Sequence, residues 1–139
     1  MPLKLEIVTP ERQVFSDMVD HVVLPTEEGG EIDVLPGHIP LVTMIEPGEL
    51  RFFRNQSPES IAIDKGFIEV IGDEVRVLTE AAIEVNQIDA SQLEDARQEA
   101  ERALTEAQEK GEDPAVLEEL ETRARFAVVQ KIVSESKRG

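Results

Sequence analysis

Side chains that do most covalent and proton-transfer chemistry are nearly missing from this 139-residue sequence, which holds two histidines, His21 and His38, and no cysteine. Without cysteine there is no thiolate nucleophile, no disulfide and no zinc knuckle. A serine triad needs a base beside its nucleophile, yet His21 reads as mid-strand between Asp20 and Val22, and His38 falls in a Pro-Gly turn. Carboxylates are the opposite case. With 30 Asp and Glu residues, paired acids occur everywhere, so a pair says nothing about acid–base catalysis. Gly29-Gly30 lacks the Lys and the Ser or Thr of a phosphate-binding loop and reads as a hairpin turn. No metal-ligand spacing stands out. The expectation is therefore no catalytic residue, no metal and no cofactor. An acidic enzyme would have to use dispersed carboxylates such as Asp33, Asp64 or Glu69. A stand-alone binding module with a coiled-coil tail would share the same composition.

The formal net charge is -16, which repels phosphate backbones, and no basic stripe with interleaved aromatics compensates, so nucleic acid is not an expected partner. Met1-Pro2-Leu3-Lys4-Leu5-Glu6 lacks the apolar core of a signal peptide. No apolar run approaches the roughly 18 residues of a membrane span. Direct membrane insertion is not expected, and association with a membrane must come through a partner. Five Phe, no Trp and no Tyr leave a core of Val, Ile, Leu and Ala, which suits strands and close helix packing.

The elements fall into two halves. From Leu3 to about Val85, short runs rich in Val, Ile and Phe are separated by turn signals at Thr9-Pro10, Glu28-Gly29-Gly30, Pro36-Gly37, Pro47-Gly48, Ser57-Pro58 and Gly72-Asp73. Leu3, Leu5 and Ile7 alternate with Lys4, Glu6 and Val8, and Val75 and Val77 with Glu74, Arg76 and Leu78, the period of strands with one buried face. This predicts a β-sandwich or flattened barrel over residues 1–85.

After Asn86 helix formers take over, and an antiparallel two-helix hairpin is predicted over 88–136, giving an α+β chain with an all-β first domain. Asp89 is placed to cap the first helix, with Gln92 able to return the bond in a variant capping box. Leu93, Ala96, Ala100, Ala103 and Ala107 form a narrow small-residue seam. Gly111 is a natural left-handed stop, and Asp113-Pro114 restarts a second helix whose apolar pattern runs through Leu117, Leu120, Ala124, Ala127 or Val128, and Lys131 or Ile132. An alanine seam buries little area, so the hairpin should be only marginally stable. Acids dominate it from Asp89 to Glu121, whereas Arg123, Arg125, Lys131, Lys137 and Arg138 make its end basic. Alone, that run reads as cations complementing a helix C-terminus.

The order of several segments resembles the epsilon subunits of bacterial-type F-type ATP synthases. Gly30-Glu31-Ile32-Asp33-Val34-Leu35-Pro36-Gly37-His38-Ile39-Pro40-Leu41-Val42-Thr43 is similar to the strand, turn and strand around that family's Pro-Gly-His-x-Pro-Leu segment. Leu5-Glu6-Ile7-Val8-Thr9-Pro10-Glu11-Arg12, Pro47-Gly48-Glu49-Leu50-Arg51, Gly66-Phe67-Ile68-Glu69-Val70 and Asp73-Glu74-Val75-Arg76-Val77-Leu78 resemble its other strands, and the helical pair follows in order.

The resemblance implies a non-catalytic central-stalk subunit that couples c-ring rotation to ATP synthesis. The β-domain would contact the gamma subunit and the c-ring with an interface that includes Pro36, Gly37, His38, Pro40 and Leu41. The helices would restrain ATP hydrolysis by reaching the alpha and beta catalytic subunits, with Arg123, Arg125 and Lys131 as the basic face. It implies a place on the cytoplasmic face of the bacterial plasma membrane, with a plastid-encoded counterpart as the alternative. One departure concerns nucleotide. Many members begin the helical region with Ile or Leu, Asp, two variable residues, Arg and Ala, a motif associated with ATP binding. Ile88 and Asp89 match, but Gln92 stands where Arg is expected and Leu93 where Ala is expected. Losing the guanidinium removes the charge best suited to a phosphate. Tight ATP binding is therefore not expected, and Arg97, Arg123 or Arg125 are the cations that could substitute.

Overall fold

The computed structural model describes residues 2–27 and 30–138, with side chains through Glu135. Among these, ten strands build two five-stranded sheets. One holds β2 (Gln13–Val19), β1 (Leu3–Val8), β9 (Glu74–Thr79), β8 (Gly66–Ile71) and β5 (Leu41–Ile45), in that order. The other holds β10 (Ala82–Glu84), β7 (Ser57–Ile63), β6 (Gly48–Arg54), β3 (His21–Pro25) and β4 (Glu31–Val34). Pairing is antiparallel throughout except between β1 and β9, where Lys4 pairs with Glu74 and Val8 with Leu78 in parallel. The sheets face each other as a sandwich.

The alternation read from the sequence is the alternation of the fold. Leu3, Leu5 and Ile7 of β1, Val75 and Val77 of β9, and Ile68 and Val70 of β8 point inward to meet Val22, Leu24, Leu50, Phe52, Ile61 and Ile63 of the other sheet, and each is at most 1% exposed. Each such side chain contributes about 1.5–3 kcal/mol by leaving water. One turn is displaced from its signal. Ser57-Pro58 lies inside β7, where Phe53 pairs with Pro58, and the chain reverses at Asn55-Gln56, both with positive φ (53° and 67°). Proline fits there because β10 reaches only Ile61, so β7 is an edge at Pro58 and needs no amide donor. His21 opens β3 rather than sitting within a longer strand. Glu28 and Gly29 of the predicted turn lie outside the described residues; Thr26 closes that loop by donating its N–H and Oγ1 to the Gly30 carbonyl at 2.8 and 2.9 Å.

A single 3₁₀ turn, Val85–Gln87, leads into α1 (Ala90–Lys110) and then α2 (Pro114–Arg138), which runs past the predicted end at 136. Asp89 caps α1, but its partner is Ser91 rather than Gln92: the Asp89 carboxylate accepts from the Ser91 N–H at 3.1 Å and from Ser91 Oγ at 2.6 Å. The Gln92 N–H bonds the Asp89 backbone carbonyl instead. Those two bonds from Ser91 hold the Asp89 carboxylate below its ordinary range. Gly111 stops α1 in the left-handed conformation (φ 67°), with its N–H on Gln108 and the Glu112 N–H on Ala107, the two bonds of a Schellman end. The Leu117 N–H donates to the Asp113 carbonyl, so α2 begins where Asp113-Pro114 predicted.

The seam between the helices is narrower than predicted. Leu93, Ala100 and Ala107, seven residues apart, are buried, whereas Ala103 is half-buried and Ala96 is exposed. On α2, Ala124 and Ala127 are buried while Val128 and Ile132 stand in solvent. The other face of α2 carries Val129, Val133 and Phe126 onto Ala62 of β7, with Ile83, Val85 and Ile88 completing a small second core.

Candidate functional site

Three arrangements could carry function. The first is the turn between β4 and β5. Pro36 and Gly37 occupy its corner, with Gly37 at φ 80° and the His38 N–H on the Leu35 carbonyl at 3.1 Å, a type II turn that requires positive φ at its third residue. The His38 ring donates from Nδ1 to the Ile39 carbonyl at 2.8 Å, so this histidine is a turn residue satisfied by backbone. Pro36, Gly37 and Pro40 are exposed, His38 is half-buried, and Leu41 packs against the sandwich core. Beyond the turn, β5 is an edge strand, and its outward side chains Val42 and Met44 sit opposite Glu69 and Phe67 of β8. With Leu35, Ile39 and Ile71 they leave a run of large apolar side chains in water, Ile39 at 74% and Val42 at 68% exposure. Sequence reasoning found the turn but missed this face, because Val42 and Met44 follow the same period-two rule as inward residues.

The second arrangement fastens the helices to the sandwich. Asp64, immediately after β7, is completely buried, and both its oxygens accept from Arg125 of α2, from Nε at 2.7 Å and Nη2 at 2.8 Å. That bidentate pairing, with Glu80 and Glu121 nearby, raises the Arg125 pKa. Between the helices, Glu94 accepts from Arg97 at 2.6 Å and from Lys131 at 2.9 Å. The Arg97 guanidinium, followed by the Lys131 ammonium, lowers the Glu94 pKa to about 2, and Glu94 in turn raises that of Arg97. The predicted basic face is thus divided: Arg125 points to the sandwich, Lys131 to α1, and Arg123 makes no ion pair among the described residues. Arg123 and Arg125 stand about 200° apart around α2, as a two-residue step requires. The side chains of Lys137 and Arg138 lie outside the described set.

The third is a cleft of about 720 Å³ between sandwich and hairpin, lined by Arg12, Glu80, Ala96, Glu119, Arg123 and Phe126 among others. Glu11, Glu80, Glu118 and Glu119 face only Arg12 and Arg123 there, which disfavours a polyphosphate. Ile88, Asp89 and Gln92 do not line it: Ile88 packs under α2, Asp89 caps α1 and Gln92 is exposed. The dispersed carboxylates come to no common point. Asp33 accepts from His21 Nδ1 at 2.8 Å, with His21 stacked on Phe53 at 4.2 Å, while Asp64 belongs to Arg125 and Glu69 to the outer face of β8. No group of three potential metal ligands occurs among the described residues.

The sandwich matches the family model for the ATP synthase delta/epsilon chain, beta-sandwich domain, over residues 2–85. The chain is 46% identical over 108 residues to an ATP synthase epsilon chain of Syntrophobacter fumaroxidans, covering 78% of this chain and 80% of that one. The chain belongs to the ATP synthase epsilon chain family. The helical pair, beyond the matched model, enters through relatives such as the epsilon chain of Dehalococcoides mccartyi, 38% identical over 136 residues, 98% of this chain and 94% of that one. The fold extends further: a chain of the Euglena gracilis mitochondrial ATP synthase superposes with a TM-score of 0.65 at 24% identity, covering 99% of this chain and 82% of that one. Membership makes the chain a non-catalytic stalk subunit of an F-type ATP synthase, part of a membrane-associated complex. No described helix is long and apolar enough to cross a membrane.

Proposed function

We propose that the sandwich is the gripping part of this rotor subunit and the helical hairpin its releasable brake. The gripping surface is the turn at Pro36, Gly37, His38, Pro40 and Leu41 together with the apolar face of β5 and β8. Gamma and the c-ring are the partners it holds, so that ring rotation reaches the catalytic head without slipping. The observation that supports this reading is the exposure of Ile39, Val42, Met44, Phe67 and Ile71 on one edge of an otherwise highly charged protein. An apolar face of this kind marks a protein interface. The complex would sit on the cytoplasmic face of a bacterial plasma membrane, with proton flow through the ring driving it.

The brake follows from how lightly the helices are held. Released from the sandwich, α2 would bring Arg123, Arg125 and Lys131 to the acidic surfaces of the alpha and beta catalytic subunits and oppose ATP hydrolysis. A two-state element of this kind needs arrangements only a few kcal/mol apart. No nucleotide is assigned to the subunit, given Gln92 and the acidic cleft. Co-expression with gamma tests the grip: the full chain should co-purify one to one, and Val42→Asp with Met44→Asp should abolish capture while leaving the melting temperature of the isolated chain unchanged. Retained capture would overturn the assignment of this face. Truncation after Val85 should keep gamma bound and raise ATPase activity of the reconstituted complex, as should changing Arg123, Arg125 and Lys131 together to Ala.

A further inference from the structure

The Asp64–Arg125 pair joins residues 61 positions apart and is the one charge contact between sandwich and helices among the described ion pairs. Backbone groups hold Asp64 in the β7–β8 connection without its carboxylate. Its N–H donates to the Ala81 carbonyl at 2.9 Å, and its own carbonyl accepts from Thr79 Oγ1 at 2.8 Å. The side chain is therefore free of any duty to the sandwich fold, yet it is fully buried, and Arg125 is its partner on both oxygens. Desolvating such a pair offsets most of its attraction, so it adds little net stability. Docking without the guanidinium, however, would bury a lone carboxylate, which is strongly unfavourable. The apolar remainder of the contact is a small cluster, with Val129, Val133 and Phe126 of α2 packed on Ala62, Ile83, Val85 and Ile88.

We propose that Asp64 and Arg125 form a latch whose two halves act differently once it opens: Asp64 holds the hairpin only in the docked state, whereas Arg125 travels with α2 and joins the restraint on hydrolysis. The second half of this inference rests on the brake reading; the latch itself does not. Asp64 stays behind on the sandwich after release, and its charge then meets water. Arg125 exchanges one carboxylate for another. Neutralising either residue should loosen docking, but the two changes should move ATPase activity in opposite directions.

The test uses the full chain, which has no native cysteine, spin-labelled after Glu74→Cys on the sandwich and Glu106→Cys on α1, both exposed. Pulsed electron resonance then reads the docked and released distances. Asp64→Asn and Arg125→Ala should each shift the docked-to-released ratio by at least about tenfold, as expected for breaking a bidentate pair whose carboxylate is fully buried. The double change Asp64→Leu with Arg125→Met, which removes both charges, should restore the docked distance. Unchanged distances in the single variants overturn the latch; if Asp64→Asn does not fold, Arg125→Ala, which leaves the sandwich intact, decides alone. In the reconstituted complex Asp64→Asn should deepen inhibition several-fold, and Arg125→Ala should relieve it. Equal deepening by both would overturn the second role of Arg125. If distances shift but neither these variants nor truncation after Val85 alter ATPase activity, the latch stands and the brake reading falls.

Discussion

The sandwich and the hairpin solve the same problem, holding two layers together, with different materials. Between the sheets, Leu, Ile, Val and Phe side chains are buried almost completely. Between the helices the buried residues are mostly alanine, at 2–8% exposure, and the ion pairs of Glu94 with Arg97 and Lys131 frame them. Burial of large apolar side chains depends little on modest changes of salt or pH, whereas a short-side-chain seam framed by charges is sensitive to both. The chain thus has a fixed half and an adjustable half, and the difference is already written in which residue types face inward.

The comparison breaks most visibly where the sandwich is hollowed. Phe52→Ala should cost about 3–5 kcal/mol and collapse the single unfolding transition of the sandwich to a much lower denaturant midpoint, because the cavity lies at the centre of both sheets. Val133→Ala, in the small second core, should cost about 1–2 kcal/mol and show itself as faster hydrogen exchange in α1 and α2 with strand protection unchanged. If strand amides lost protection equally, the two halves would be one cooperative unit rather than a fixed and an adjustable half.

Gly111→Ala sharpens the contrast at the helical bend. A methyl group there has space, but φ of 67° is disfavoured for any residue with a Cβ, so the hairpin should lose roughly 1 kcal/mol. Helical circular dichroism during melting would register it, and the sandwich melt should not move. The smallest expected effect is a pH dependence. Glu94 has a folded pKa of about 2 against an ordinary 4.5, so its contribution is fully present above about pH 4.5 and is lost as pH falls toward about 2. Helicity should decline over that window in the native chain and less in Glu94→Gln. An identical decline in both would remove Glu94 from the account.

How much of this was legible in advance depended on distance along the chain. Strand alternation, the Gly111 stop and the Asp113-Pro114 restart are local rules, and Leu3, Leu5, Ile7, Val75 and Val77 obey them. The turn at Asn55-Gln56 was missed because two residues other than glycine hold positive φ there, beside a Ser-Pro signal that belongs to a strand edge. Asp64 looked like one acid among many, and Arg125 like part of a basic helix face. Nothing local announces a partner 61 residues away, and the burial that makes the pair matter exists only after the sheets close. The candidate interface was legible as a turn, through Pro36, Gly37 and Pro40, but not as a face. Whether Val42 and Met44 point in or out is decided by the pairing register with β8.

The parallel match of β1 with β9 sets an order of events during synthesis. The first strand emerges from the ribosome long before residues 74–78 exist to cover its second edge, and until then it has only β2 beside it. Once Thr79 is out, that sheet can close while the hairpin is still being translated. The nascent chain therefore completes its sandwich first, on a wait set by a long-range strand pairing. The helices arrive at a surface already built, with Asp64 in position to receive Arg125.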